Sequence, residues 1–157
     1  MKSLHSLTAF ALLVALGWPA RAASPSPQEQ VQPLVDASER AANAHDTDAY
    51  MAYLRKSPDL VFAFNGQIIR GWDKLRAQQL VWWKNGKSDV VYTATAAPEF
   101  DTLAPDAVLV TQQLSSRRTG ADGKPSLGTF VVTSVWKHLP EGWRIVYAHE
   151  SWARPAG

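Results

Sequence analysis

Cysteine is absent from the chain. Its absence excludes disulfides, thiolate metal sites and a cysteine nucleophile. Histidine is sparse: His5, His45, His138 and His149 stand far apart, so no metal-ligand spacing of the usual kinds exists and no metal is expected. The glycines form no phosphate-cradling loop, and there is no G-x-S-x-G elbow. No cofactor is therefore expected. A charge excess is also lacking. The sequence has 16 Lys and Arg against 14 Asp and Glu. Lys2 and Arg21 lie in the first segment, which has no acid, so the rest is formally neutral. Nucleic-acid binding and membrane-surface binding thus have no electrostatic support. No apolar run is long enough to span a bilayer well.

The first segment reads as a secretory signal peptide over residues 1–22. Lys2 gives a positive start, Leu7 to Gly17 a short apolar run, and Ala20-Arg21-Ala22 a small-x-small cleavage site. No cysteine follows to carry a lipid. The expectation is a secreted protein, periplasmic or extracellular, with one domain over residues 23–157 and no membrane span after cleavage. Without disulfides, packing alone must stabilise it. Tryptophan is plentiful, with seven in the chain and only Trp18 in the leader. That much aromatic surface predicts a homodimer as well as a core.

After a Ser24 to Pro27 leader, expected to be irregular, the spacing of Val31, Leu34, Val35, Ser38 and Ala41 predicts a helix over Gln28 to His45. Pro33 implies a start or a kink there. Asp46 is a candidate N-cap for a short second helix through Tyr50 and Leu54. Leu60 to Phe64, Asn65-Gly66 and Gln67 to Arg70 form a hairpin pattern. A third helix is expected from Trp72 to about Lys84, with only one of Trp82 and Trp83 facing inward. Four strands follow: Asp89 to Ala97, Ala107 to Arg117, Thr129 to His138 and Trp143 to Trp152. Helices gathered before a mostly antiparallel sheet indicate an α+β fold.

The last two strands offer the best candidate pocket wall. A turn over Leu139-Pro140-Glu141-Gly142 pairs His138 with Trp143, Trp136 with Ile145, Ser134 with Tyr147 and Val132 with His149. Strict alternation then sends Trp136, Ser134, Ile145, Tyr147 and His149 to one face, and Glu150 to the other. The ligand-binding candidates are Ser134, Trp136, Tyr147 and His149, for a small apolar or aromatic molecule. His149 is the catalytic candidate because it can titrate near neutral pH; the plainer alternative is a hydrogen-bonded core histidine. Asp59 is expected to cap or to pair with Arg70 or Arg76. His45 and His138 read as a helix-end residue and an exposed hairpin residue.

The junction Ala41-Ala42-Asn43-Ala44-His45-Asp46-Thr47-Asp48, the first hairpin from Asp59 to Gly71, and the last hairpin through Ser134-Val135-Trp136-Lys137 and Gly142 to Ser151 resemble the NTF2-like superfamily. The likeness is to SnoaL-like and DUF4440-type domains, and to the calcium/calmodulin-dependent kinase association domain. It implies a cone: a curved, mostly antiparallel sheet of about six strands with three helices on its concave side and a pocket between them. Ketosteroid isomerases of this superfamily place a tyrosine near the position of Ser38 and a carboxylate base near that of Phe64, so both groups are missing here. The kinase association domain places an arginine where Ser134 stands.

Two functional readings follow. One is an exported, non-catalytic domain that binds a small ligand or serves mainly in assembly. The other is an isomerase, dehydratase or hydrolase for a small molecule, with His149 as acid and base.

Overall fold

The structure, a computed structural model, describes residues 24–153. The proposed signal peptide lies outside the described residues.

Helix α1 (Pro27–Asn43) begins with a capping box. The Ser26 hydroxyl accepts from the Glu29 amide at 3.3 Å, and the Ser26 amide donates to the Glu29 carboxylate at 2.7 Å. Pro27 occupies the first turn, where its missing N–H costs nothing. The helix runs on through Pro33, which forgoes one hydrogen bond, and buries Val31, Val35, Ser38 and Ala41. Its start is therefore set by Ser26 rather than by Pro33. Asp46 caps α2 (Thr47–Met51), its carboxylate accepting from the Ala49 amide at 2.9 Å. Helix α3 (Trp72–Trp82) is followed by a 3-10 turn at Lys84–Gly86.

Seven strands form one curved sheet: β1 (Val61–Phe64), β2 (Gln67–Arg70), β3 (Val91–Ala94), β4 (Glu99–Ala104), β5 (Ala107–Thr119), β6 (Pro125–Leu139) and β7 (Gly142–Trp152). The sheet fits the expectation of about six strands, with β4 as one more; β4 pairs with the first half of β5 while β3 pairs with the second half. The order is β2-β1-β7-β6-β5-β3. The β1–β7 ladder is parallel and the other ladders are antiparallel. Asn65 and Gly66 both have positive φ, 45° and 78°, as a two-residue hairpin between right-twisted strands requires.

The three helices pack on one face of this sheet. Val31 and Val35 from α1, Met51 from α2 and Leu75 from α3 meet Phe62, Val108, Val110, Trp136 and Ile145 in one buried cluster. The Trp143 indole donates to Gln30 on α1 at 3.1 Å, tying the base of β7 to the first helix. The architecture is thus the expected α+β cone.

The last hairpin departs from strict alternation. His138 pairs with Trp143 and Trp136 with Ile145, as the turn predicts. Val135 then pairs with Tyr147, so the register shifts by one and Val146 is the extra residue of a β-bulge. Below the bulge Trp143 and Ile145 face the helices. Above it Ala148 is buried, Glu150 and Trp152 share its face, and Tyr147 and His149 turn outward.

Candidate functional site

Between the helices and the sheet lies a cavity of about 1110 Å³. Ser38, Glu39 and Tyr50 reach it from the first two helices, and Gln79, Trp82 and Trp83 from α3 and its end. Tyr92, Gln112, Phe130, Ser134, Trp136, Ile145, Ala148, Glu150 and Trp152 line it from the sheet. Its lining is aromatic, with carboxylates, amides and hydroxyls set among the rings.

The bulge decides which candidates reach this space. Ser134 and Trp136 line the cavity; both are buried, and the Trp136 indole donates to the Ser134 hydroxyl at 3.0 Å. Tyr147 and His149 do not line it. They are exposed on the outer face of the sheet, Tyr147 by 38%. Their expected inward placement is corrected, because one added residue at Val146 reverses the side of every later position. Trp82 and Trp83 both line the cavity, against the expectation of one. The helix ends at Trp82, and Trp83 leaves helical geometry at φ −94° and ψ 12°. Ser38 and Phe64, the positions that the sequence resemblance set near isomerase catalytic groups, line it too; the Ser38 hydroxyl is spent on the Val35 carbonyl at 2.8 Å.

Glu150 takes the place that His149 was expected to hold. Its only side-chain hydrogen bond among the described residues comes from the Trp152 indole, at 3.3 Å. It is half-buried and lines the cavity. Burial pushes its carboxyl up to about 7, and the indole N–H opposes that rise. Burial raises the Tyr50 and Tyr92 hydroxyls as well, and the nearby Glu150 charge adds to both shifts. Tyr92 accepts from the Trp83 indole at 3.3 Å.

A second carboxyl, Glu39 on α1, accepts from the Gln112 side-chain amide. Burial raises it, while the Gln112 bond opposes the rise. At the mouth, Asp89 is held below the usual carboxylate range by Thr119, whose amide donates to it at 2.7 Å. Elsewhere, Asp59 lies 3.9 Å from Arg55 rather than beside Arg70 or Arg76, and Arg76 pairs with Asp48 at 2.8 Å. His45 ends its helix with Nε2 placed 2.8 Å from the Val90 carbonyl. No group of three or more metal-ligating side chains exists among the described residues.

The chemistry open to this arrangement is limited and specific. A carboxyl that titrates near neutrality can take or give a proton, or act as a counter-ion. The sequence contained one signal for it: Ala148, Glu150 and Trp152 alternate together, and the Trp152 indole needs an acceptor on its own side.

No curated protein matches the chain significantly. Solved structures do. An NTF2-like protein of unknown function from Shewanella oneidensis is 24% identical, over 80% of this chain and 98% of that one, with a TM-score of 0.65. An NTF2-like superfamily protein from Salmonella enterica serovar Typhimurium is 20% identical, over 83% and 93%, with a TM-score of 0.69. A Xanthomonas campestris protein provisionally named a calcium/calmodulin-dependent protein kinase II association domain is 14% identical, over 85% and 95%, with a TM-score of 0.65. The solved structures share the NTF2-like fold. The SnoaL-like domain family matches residues 31–155, from the first buried valine of α1 past the end of β7, and the chain belongs to that family.

Proposed function

We propose that this domain binds a small molecule with an apolar or aromatic body in the cavity, and that Glu150 is the group that pairs or exchanges a proton with it. One observation carries the reading: the Val146 bulge turns a carboxyl into an aromatic-lined space where, among the described residues, it has a single neutral donor. Ser134 and Trp136 form the adjoining wall. A screen of small aromatic and alicyclic compounds, followed by quenching of tryptophan fluorescence, tests it. Saturable binding that changes in Glu150→Gln supports the reading; no binding across the screen overturns it.

A second reading is favoured by the titration of Glu150 alone. A carboxyl near 7 suits general acid or base work, so isomerisation, dehydration or hydrolysis would use Glu150 in place of His149. Turnover that vanishes in Glu150→Gln while binding persists would establish it.

Two further expectations become proposals here. Export rests on Lys2, the Leu7 to Gly17 run and Ala20-Arg21-Ala22; an exported protein still carrying Lys2 by mass spectrometry would remove it. Homodimerisation is supported by the outer sheet face. There Val61, Tyr147, Val135 and Leu109 form one cross-strand row, with Arg70 at one end and Asp101 at the other. Two such faces related by an axis along the strands set each Arg70 against the other copy's Asp101. A monomeric mass by light scattering at high concentration overturns it.

A further inference from the structure

Five aromatic side chains are linked into an arc along one side of the cavity. Tyr50 meets Trp83 edge to face at 5.2 Å, and the Trp83 indole donates to Tyr92. Tyr92 meets Phe130 edge to face at 5.8 Å, and Phe130 stacks on Trp152 at 4.1 Å and 13°. Both ends and the middle of this arc lie beside Glu150. Trp152 donates to its carboxyl, and Tyr50 and Tyr92 both sense its charge. No ion pair reaches Glu150 among the described residues. Aromatic faces carry partial negative charge and favour cations. An ionised carboxyl in a poorly solvated space favours one too, and disfavours an anion. The charged groups around it do not change that balance. Glu39 has the same sign. Lys84 and Arg118, the basic residues of the lining, are exposed; Lys84 acts on Asp89, and Arg118 acts on Tyr92.

We propose that the cavity selects an organic cation, its ammonium head held against the Glu150 carboxylate within the arc of Tyr50, Trp83, Tyr92, Phe130 and Trp152. Its apolar body extends toward Trp82 and Trp136. This rests on the small-molecule reading above and names its ligand class. The cation supplies the charge that the protein withholds from Glu150. It also stabilises the ionised form of the carboxyl, so binding near neutral pH expels a proton.

The test uses three probes of similar size: benzyltrimethylammonium, benzyl alcohol and benzoate, titrated by tryptophan fluorescence against the unaltered protein and Glu150→Gln. At about pH 8 the cation should bind roughly tenfold or more tighter than the alcohol, and benzoate weakest. Glu150→Gln should lose most of that preference and keep only the part that the aromatic arc supplies. In the unaltered protein the preference should shrink at about pH 5.5, and cation binding near neutrality should release protons in a weakly buffered solution. Glu39→Gln reports the share of the second carboxyl. Equal binding of cation and alcohol at about pH 8 overturns the inference and leaves small-molecule binding intact. So does a preference that is undiminished in Glu150→Gln or does not change with pH. If none of the probes binds, the inference fails, and the wider screen decides the small-molecule reading. Should Glu150→Gln prove misfolded by circular dichroism, the pH series and proton release decide alone.

Discussion

His149 and Glu150 are neighbours in sequence and opposites in environment. His149 stands on the outer face of β7 in solvent; Glu150 faces a cavity lined by rings. Four residues earlier on the same strand, Ile145 and Val146 divide the faces with the other parity. The difference teaches that residue type did not assign these roles. Burial pushes the Glu150 carboxyl up to about 7, because a single extra residue decided which side chain would be buried.

The contrast is tested at its source by deleting Val146. Joining Ile145 to Tyr147 leaves Trp136 opposite Ile145 and Val135 opposite Tyr147 with no extra residue between, so strict alternation keeps Ala148, Glu150 and Trp152 toward the cavity and Tyr147 and His149 outward. We expect a folded variant, with a loss of up to about 3 kcal/mol in chemical denaturation and the Glu150 titration retained. A variant whose Glu150 titration is lost would show that the faces are not set by the count of residues in the strand.

Removing the buried charge sharpens the contrast. The folded Glu150 carboxyl titrates above its ordinary value of 4.5, at about 7, so the folded state binds the proton more tightly than the unfolded chain. Its contribution is fully present below the ordinary value. Stability then declines as pH rises through that window and levels off above it, by at most about 3 kcal/mol. Glu150→Gln should flatten this decline in denaturation curves taken across the window. An unchanged slope would place the titration elsewhere.

Gly128 tests the support behind Glu150. A Cβ there would lie 3.0 Å from the Ser116 hydroxyl and 3.1 Å from the Trp152 ring. Gly128→Ala should therefore displace the ring that donates to Glu150, costing about 1–3 kcal/mol and altering the near-ultraviolet circular dichroism. The outer face supplies the smallest effect. His149→Ala should change stability by about 0.5 kcal/mol or less and leave ligand binding unaltered, since the ring is exposed and makes no side-chain hydrogen bond among the described residues.

The fold was readable because its signals are local and redundant. Asp46 capped the helix it was expected to cap, Asn65-Gly66 made its turn, and Leu139 to Gly142 set the register of the last hairpin at its base. The capping box was missed: Ser26-Pro27-Gln28-Glu29 carries the S-x-x-E pattern that starts α1, inside the stretch expected to be irregular. Strand β4 was hidden because most of Glu99–Ala104 is exposed and shows no apolar alternation. The site was only half legible. Ser134 and Trp136 lie on the well-set side of the bulge. Beyond it, Ile145-Val146-Tyr147 is a run of good strand formers with no glycine, so nothing local announces an added residue. Two registers could be weighed, each burying one set of residues throughout; the molecule takes the first below Val146 and the second above it.

The parallel ladder between β1 and β7 has a consequence for how the chain assembles. β7 is the final strand of the described chain, yet it sits in the interior of the sheet, between β1 and β6. Residues 61–64 must wait for residues 147–150 before they gain their second neighbour. During synthesis the β1–β2 hairpin therefore has no sheet to join until nearly the whole domain has been made. Closing that distance carries an entropic cost before any contact returns it, which makes such a chain slow to fold and late to commit. The strand that carries Glu150 into the cavity is thus also the one that joins the two parts of the sheet, so the site and the finished fold arise in the same step.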